Sequence, residues 1–390
     1  MRYLAIITII FVCIMGLSNC TLAPDKPRFT ESPDLPSYLQ PSFAQYQKET
    51  VNWLKENRVY VSDNKAAEIA ANSPFELQPK EESKRGVLLV HGLAGSPYYF
   101  KDIAKELVKK GFIVRVMLVP GHGSRPADLK RIGLSDWQKS VKHQIKLFKQ
   151  QVDELWLGGF STGANLVTSE AISDPDIEGL FLFSPGFKSS RKGLFLAPLA
   201  SRFIDWVDVD EVTGNYTKYE SLTTQAAANY YRSAQEVVNK VKKYQYDKPV
   251  LVTISEDDIV IDSKAIYQMF SESMTHPDSR LIWYGTEQGF TDKRVIVREK
   301  SLPSERISTF SHMNVLFDED NPFYGKQGEY RFCNADLIFE EYEKCQLGIE
   351  TWYAEYGYSD GDRIYARLSW NPYFSFLSES ISSLVKAHAP

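Results

Sequence analysis

Two rhythms of hydrophobic positions alternate through the middle of this chain. Gly86-Val87-Leu88-Leu89-Val90 is apolar without interruption, the pattern of a strand buried on both faces. Beyond the turn His91-Gly92-Leu93-Ala94-Gly95, Ser96 and Pro97 offer a helix start. Phe100, Ile103, Ala104, Leu107 and Val108 then recur at helical spacing up to Gly111. The step repeats. Phe112 to Val119 reads as a strand that stops at Pro120-Gly121-His122-Gly123, and Trp137, Val141, Ile145 and Phe148 mark a helix. Leu155 to Phe160 is a strand, residues 162 to 172 a helix, and Gly179 to Phe183 a strand. Strands and helices in this alternation pair in parallel through right-handed crossovers, which predicts a doubly wound α/β sheet.

The alternation breaks over residues 186–247, where only helical pieces such as Leu194 to Val207 and Thr223 to Lys243 stand out, and this stretch reads as a helical cap. Val250 to Ile254 resumes the sheet, a helix spans 262 to 274, and Leu281 to Tyr284 is a further strand. The α/β core thus divides into residues 43–185 and 248–390, each with an extension: a helical stretch over 43–72, and a long tail in which Phe374, Leu377, Ile381, Leu384 and Val385 fit a closing helix. Pro24, Pro27, Pro33, Pro36 and Pro41 make residues 21–42 read as an extended tether. Residues 1–20 open with Arg2 and an apolar run to Leu17, which reads as an export signal and is short for a membrane span. Leu17-Ser18-Asn19-Cys20 resembles a bacterial lipobox, with Asn19 the irregular residue. Cys20 is then a lipid anchor, placing the protein on a membrane of the bacterial envelope. The alternatives are a cleaved signal, with Thr21-Leu22-Ala23 as its site, and an uncleaved anchor.

With 43% hydrophobic and 24% charged residues over 390 positions, the composition is that of an ordinary globular protein with a large core. A net charge of −5, with no basic run interleaved with aromatics, argues against nucleic acid as a partner. Of four cysteines, Cys333 and Cys345 fall outside the export segment and are expected to pair in an oxidising compartment; two unrelated thiols are the alternative. No cysteine stands at metal-ligand spacing from a histidine, so a zinc site is not expected.

The candidate chemistry lies at strand ends. Gly159-Phe160-Ser161-Thr162-Gly163 fits G-x-S-x-G, which chance alone produces in about one chain in eight of this length. Its position between a strand and a helix is what a nucleophile elbow requires, and it marks Ser161. A serine needs a base to take its proton and a carboxylate to fix that base's tautomer. Of the six histidines, His91 and His122 sit in glycine-flanked turns, His143 on a wet helix face and His388 near the chain end. His312, in a loop after the last predicted strand, is the expected base, with His276 second. Ser255-Glu256-Asp257-Asp258 follows the buried strand at 250–254. Asp257, heading a D-x-I-V turn, is the expected acid, Asp258 the second choice and Glu256 the third. Backbone N–H groups of Leu93 and Thr162 are placed to receive an oxyanion.

His91-Gly92-Leu93-Ala94-Gly95, Pro120-Gly121-His122-Gly123, Gly159 to Gly163 and the acid and histidine loops together resemble the monoacylglycerol lipase, lysophospholipase and carboxylesterase branch of the α/β-hydrolases, over roughly residues 85 to 316. That resemblance implies an α/β-hydrolase fold whose cap shapes an acyl pocket. It also implies hydrolysis of a lipid or small ester through an acyl-enzyme, and no cofactor. Leu194 to Leu199, Phe203, Ile204, Trp206 and Val207 make the cap entrance apolar, which suits an acyl chain, although ordinary cap packing asks for the same residues. Thioesters, amides and peptides are alternative substrates for the same triad. A non-catalytic envelope lipoprotein that uses the scaffold for binding is the reading from another class.

Overall fold

The computed structural model describes residues 26–210, 213–361 and 363–387. The export segment and Cys20 therefore lie outside the described residues, as does His388. Helices α1 (Phe43–Asn57) and α2 (Lys65–Asn72) precede a short strand β1 (Phe75–Leu77). The alternating unit follows as β2 (Arg85–Val90), α3 (Lys101–Lys109), β3 (Ile113–Met117), α4 (Leu134–Lys149), β4 (Glu154–Phe160), α5 (Thr162–Ser173) and β5 (Ile177–Phe183). The cap comprises α6 (Ala197–Ala200), β6 (Trp206–Asp208), β7 (Leu222–Thr223) and α7 (Thr224–Tyr244). Then come β8 (Val250–Ser255), α8 (Ser263–Ser273), β9 (Arg280–Tyr284) and β10 (Val295–Arg298). The tail holds β11 (Phe332–Cys333), α9 (Phe339–Gln346), β12 (Trp352–Ala354), β13 (Tyr365–Arg367) and α10 (Phe374–Lys386).

Eight strands form the main sheet in the order β1-β3-β2-β4-β5-β8-β9-β10. Only β1 runs antiparallel to its neighbour. The unbroken apolar runs have a direct cause. Leu88 and Val90 of β2 turn to one face, where they join Trp137, Val141, Ile145 and Phe148 of α4. Val87 and Leu89 turn to the other, against Ile103, Ala104 and Leu107 of α3 and Leu377, Ile381 and Leu384 of α10. Both faces are covered, so apolar side chains are favoured on each. This is the mostly parallel, doubly wound sheet of the α/β-hydrolase fold, with α10 as its closing helix.

Three features depart from the sequence reading. The helical stretch over 43–72 is two helices, because Asn64 caps a new start by accepting the N–H of Ala67. The cap is not purely helical: Trp206–Asp208 and Leu222–Thr223 pair antiparallel, in strands too short to carry an alternating pattern. The third concerns the proline-rich segment. Of its span, residues 26–42 do not extend away as a tether but lie against the body as a strap. The N–H and hydroxyl of Ser32 donate to buried Asp128 at 2.7 and 2.8 Å. Phe29 meets Trp206 of the cap edge-on at 4.9 Å, Tyr38 donates to Asp136, and Gln40 O lies 2.7 Å from His143 Nε2. Among the described residues, no helix is long and apolar enough to cross a membrane.

Residues between the main sheet and α10 form a separate small sheet, ordered β11-β13-β12. A disulfide between Cys333 and Cys345, 12 residues apart, ties β11 to α9. This insert packs back on the cap: the Tyr324 hydroxyl donates to Asn215 at 2.8 Å, and the rings of Tyr216 and Phe323 lie 4.4 Å apart.

Candidate active site

Ser161 sits where β4 ends and α5 begins, with φ 52° and ψ −116°. A side chain rarely adopts that conformation, which costs on the order of 1–3 kcal/mol and persists only where the surroundings enforce it. Three backbone bonds do so here: Ser161 N–H donates to Phe183 O, and Gly186 and Ala164 N–H donate to Ser161 O, all at 3.0 Å. The flanking glycines are a matter of space. A Cβ at position 163 would lie 2.0 Å from Val90 O, and one at position 159 would lie 2.4 Å from Ala164 N. Helix α5 therefore packs tightly onto β2 and β4, with the serine at its amino end.

The turn after β2 closes over the same point. A Cβ at Gly92 would meet Ser161 Cβ at 3.1 Å, so the turn carrying Leu93 abuts the serine. Thr162 opens α5, and its N–H has no acceptor one turn back within the helix. Two buried histidines shape the turn. His122 Nε2 accepts the N–H of Ala94 at 3.1 Å while its Nδ1 lies 3.1 Å from Val119 O; His91 Nε2 accepts the N–H of Val119 at 3.0 Å while its Nδ1 faces Gly92 O at 2.8 Å. Each ring thus accepts at Nε2 and donates at Nδ1, the neutral form. Burial holds His122 down at about 4 and His91 well below its ordinary value.

His312 lies in the loop after β10, its ring 4.9 Å from that of Phe160, the neighbour of Ser161. Its Nδ1 is 2.6 Å from Asp258 Oδ2. The other oxygen of Asp258 accepts the N–H of Val260 and Ile261 at 2.8 and 3.1 Å, so the carboxylate is fixed at both ends. Asp257, the expected acid, does not occupy this position: it pairs with Lys300 at 2.8 Å. Glu256 accepts the Thr286 N–H at 2.6 Å and lies 3.3 Å from Lys300. The correction is one residue. The loop beyond β8 turns Asp258 inward, and its backbone donors stand two and three residues further on. His276 precedes β9 and so lies at the amino edge of a parallel sheet, opposite the edge that holds Ser161.

Other residues in contact with His312 carry no motif. The Ser184 hydroxyl, just beyond β5, donates to His312 O at 2.9 Å. Glu355, at the end of β12, accepts the His312 N–H at 3.1 Å. Only an aligned set of relatives or the fold itself could have pointed to either.

An elbow serine on a doubly wound sheet, with a buried His–Asp pair contributed by later loops, is the arrangement of the α/β-hydrolases. The family described as Serine aminopeptidase, S33, matches residues 81–286, more than half of the chain, and the protein belongs to that family. The chain is also 26% identical over 186 residues to a thermostable monoacylglycerol lipase of Bacillus sp. (strain H-257), a match that covers 46% of this chain and 73% of that protein. Among solved structures it is similar to a metagenome-derived lipolytic enzyme of the LipS and LipT pair (19% identity, 55% of this chain and 87% of the other, TM-score 0.49). A second is the Paleococcus ferrophilus monoacylglycerol lipase (18% identity, 54% and 88%, TM-score 0.44).

Proposed function

We propose that the protein hydrolyses carboxylic esters through an acyl-enzyme, with Ser161 as nucleophile, His312 as base and then acid, and Asp258 as the residue that orients His312. The observation that carries this reading is the strained Ser161 elbow, on the same sheet edge as the His312–Asp258 pair 2.6 Å apart. In the mechanism, Ser161 Oγ attacks the ester carbon as His312 Nε2 takes its proton. Asp258 accepts the Nδ1–H, so that Nε2 is the free acceptor. The oxyanion is received by the N–H groups of Leu93 and Thr162, each worth about 3 kcal/mol in the transition state. His312 returns the proton to the leaving alcohol, and water repeats the sequence on the acyl-enzyme.

Monoacylglycerol-like or lysophospholipid esters are the proposed substrates. The cap supports this with Phe195, Leu199 and Phe203 standing in solvent, the last 81% exposed, as does the likeness to a monoacylglycerol lipase. Peptide hydrolysis is the second reading, favoured by the description of the family. We further propose attachment to an envelope membrane through Cys20, a reading supported by the Cys333–Cys345 disulfide, which suits an oxidising compartment.

A p-nitrophenyl ester series of rising chain length and an aminoacyl-p-nitroanilide, run on protein lacking residues 1 to 23 and on its Ser161→Ala variant, tests the activity. Equal turnover by both proteins sinks the nucleophile assignment. Cleavage of the anilide in preference to the esters selects the peptidase reading. Absence of turnover together with absence of fluorophosphonate labelling leaves a binding module. Palmitate labelling of full-length protein that survives Cys20→Ser refutes the anchor.

A further inference from the structure

The tail insert between the main sheet and α10 reaches the base of the proposed triad directly. Glu355, only 4% exposed, accepts the backbone N–H of His312 on Oε2 at 3.1 Å. On Oε1 it accepts the Tyr356 N–H at 2.7 Å and faces Arg367 Nε at 3.3 Å. Its own N–H donates to Thr309 Oγ1 at 2.8 Å, three residues before the histidine. Two further bonds fasten the same loop to the insert: Ser308 N–H to Tyr353 O at 2.8 Å, and Ser311 Oγ to Leu368 O at 2.6 Å.

A buried carboxylate needs donors on both oxygens, and Tyr356 and Arg367 meet Oε1 rather than dividing between the two. The other oxygen is spent on the backbone of the residue that must accept and release a proton. Two carboxylates therefore flank His312, Asp258 at the ring and Glu355 at the main chain.

We propose that Glu355 is a positioning residue for His312, fixing its main chain and adding negative charge near that residue as the imidazolium forms, so that the disulfide-tied insert is part of the catalytic apparatus. This rests on the triad reading above. The charged groups facing His312 are Asp258 from the loop after β8 and Glu355 with Arg367 behind it from the small sheet; Phe160 and Ser184 supply the neutral sides.

Glu355→Gln keeps an acceptor for the His312 N–H and removes the charge. The experiment is the pH profile of kcat/KM on p-nitrophenyl butyrate, with thermal midpoints read alongside. Expected for Glu355→Gln are an unchanged KM, a kcat lowered about threefold to tenfold, and an acidic limb displaced to lower pH by about half a unit. Glu355→Ala, which also frees the main chain, is expected to lose about a hundredfold in kcat. If the unpaired Arg367 cation unfolds these variants, Glu355→Gln with Arg367→Met restores a neutral interior, and the same displacement, smaller, is expected there. A limb that stays at the parental pH in whichever variant folds, with any loss of rate matched by a lower midpoint, overturns the proposal while parental turnover and Ser161 labelling leave the triad standing. Parental protein that neither turns over ester nor labels at Ser161 removes both.

Discussion

His312 Nδ1 lies 2.6 Å from Asp258 Oδ2, whereas Asp257, one residue earlier, faces Lys300 at 2.8 Å. Neighbouring aspartates with identical chemistry thereby stand in different surroundings, one buried under the histidine and the other in a part-buried ion pair. Asp258→Asn is expected to present an amide that cannot hold the same tautomer, and kcat on a p-nitrophenyl ester should fall by about a thousandfold or more. Asp257→Asn should change it by less than about twofold, since a part-exposed pair contributes little. A dead Asp257→Asn and a live Asp258→Asn reverse the assignment.

What the chain reveals of itself depends on how many residues carry each signal. Strands β2, β4 and β8 are legible because five or more consecutive positions are buried on both faces. β6, β7 and β10 are not, being two to four residues long and, in β10, only half buried. Ser161 is legible because its motif and its strand–helix junction coincide. Asp258 is blurred because Glu256, Asp257 and Asp258 follow the same strand and only backbone direction separates them. Glu355 is invisible, since a carboxylate 43 residues from its partner leaves no spacing to read.

The space around the elbow gives a second prediction. A methyl at Gly163 meets Val90 O at 2.0 Å and His91 O at 2.5 Å, both backbone atoms that cannot swing aside. Gly163→Ala must displace α5 from β2, so it is expected to destabilise the fold by about 2–4 kcal/mol and to abolish labelling of Ser161 in whatever folds. Urea unfolding with fluorophosphonate labelling reads both, and parental values in each would refute the packing described.

Acid should loosen the turn that carries Leu93. His122 takes up its proton at about 4 in the folded protein and at its ordinary 6.5 once unfolded, a depressed value caused by burial. The stability this contributes is complete above 6.5 and is lost as pH falls toward 4, on the order of 3 kcal/mol. His91 acts in the same direction. His122→Gln retains an acceptor for the Ala94 N–H without a titrating ring, so its urea midpoint should fall less between pH 7.5 and 4.5 than that of the parent. Parallel declines in the two proteins would show that the ring's protonation is not what weakens the fold.

The strap makes the last prediction, and it separates a packed segment from a tether by truncation alone. Protein beginning at Lys26 retains the two bonds from Ser32 to Asp128 and the contact of Phe29 with Trp206. Protein beginning at Phe43 loses them, leaving the Asp128 carboxylate with the Ser124 hydroxyl as its remaining side-chain donor among the described residues and uncovering Trp206 at the cap. Hydrogen bonds to a charged group contribute about 1.5–3 kcal/mol each, and burial of a phenylalanine a similar amount. The shorter protein should therefore melt roughly 5 °C or more below the longer one. Because Trp206 belongs to the cap and Asp128 to the core, the loss should fall on their junction, and limited proteolysis should cut first between residues 194 and 222. Equal melting temperatures and equal cleavage patterns would return residues 26–42 to the status of a free tether.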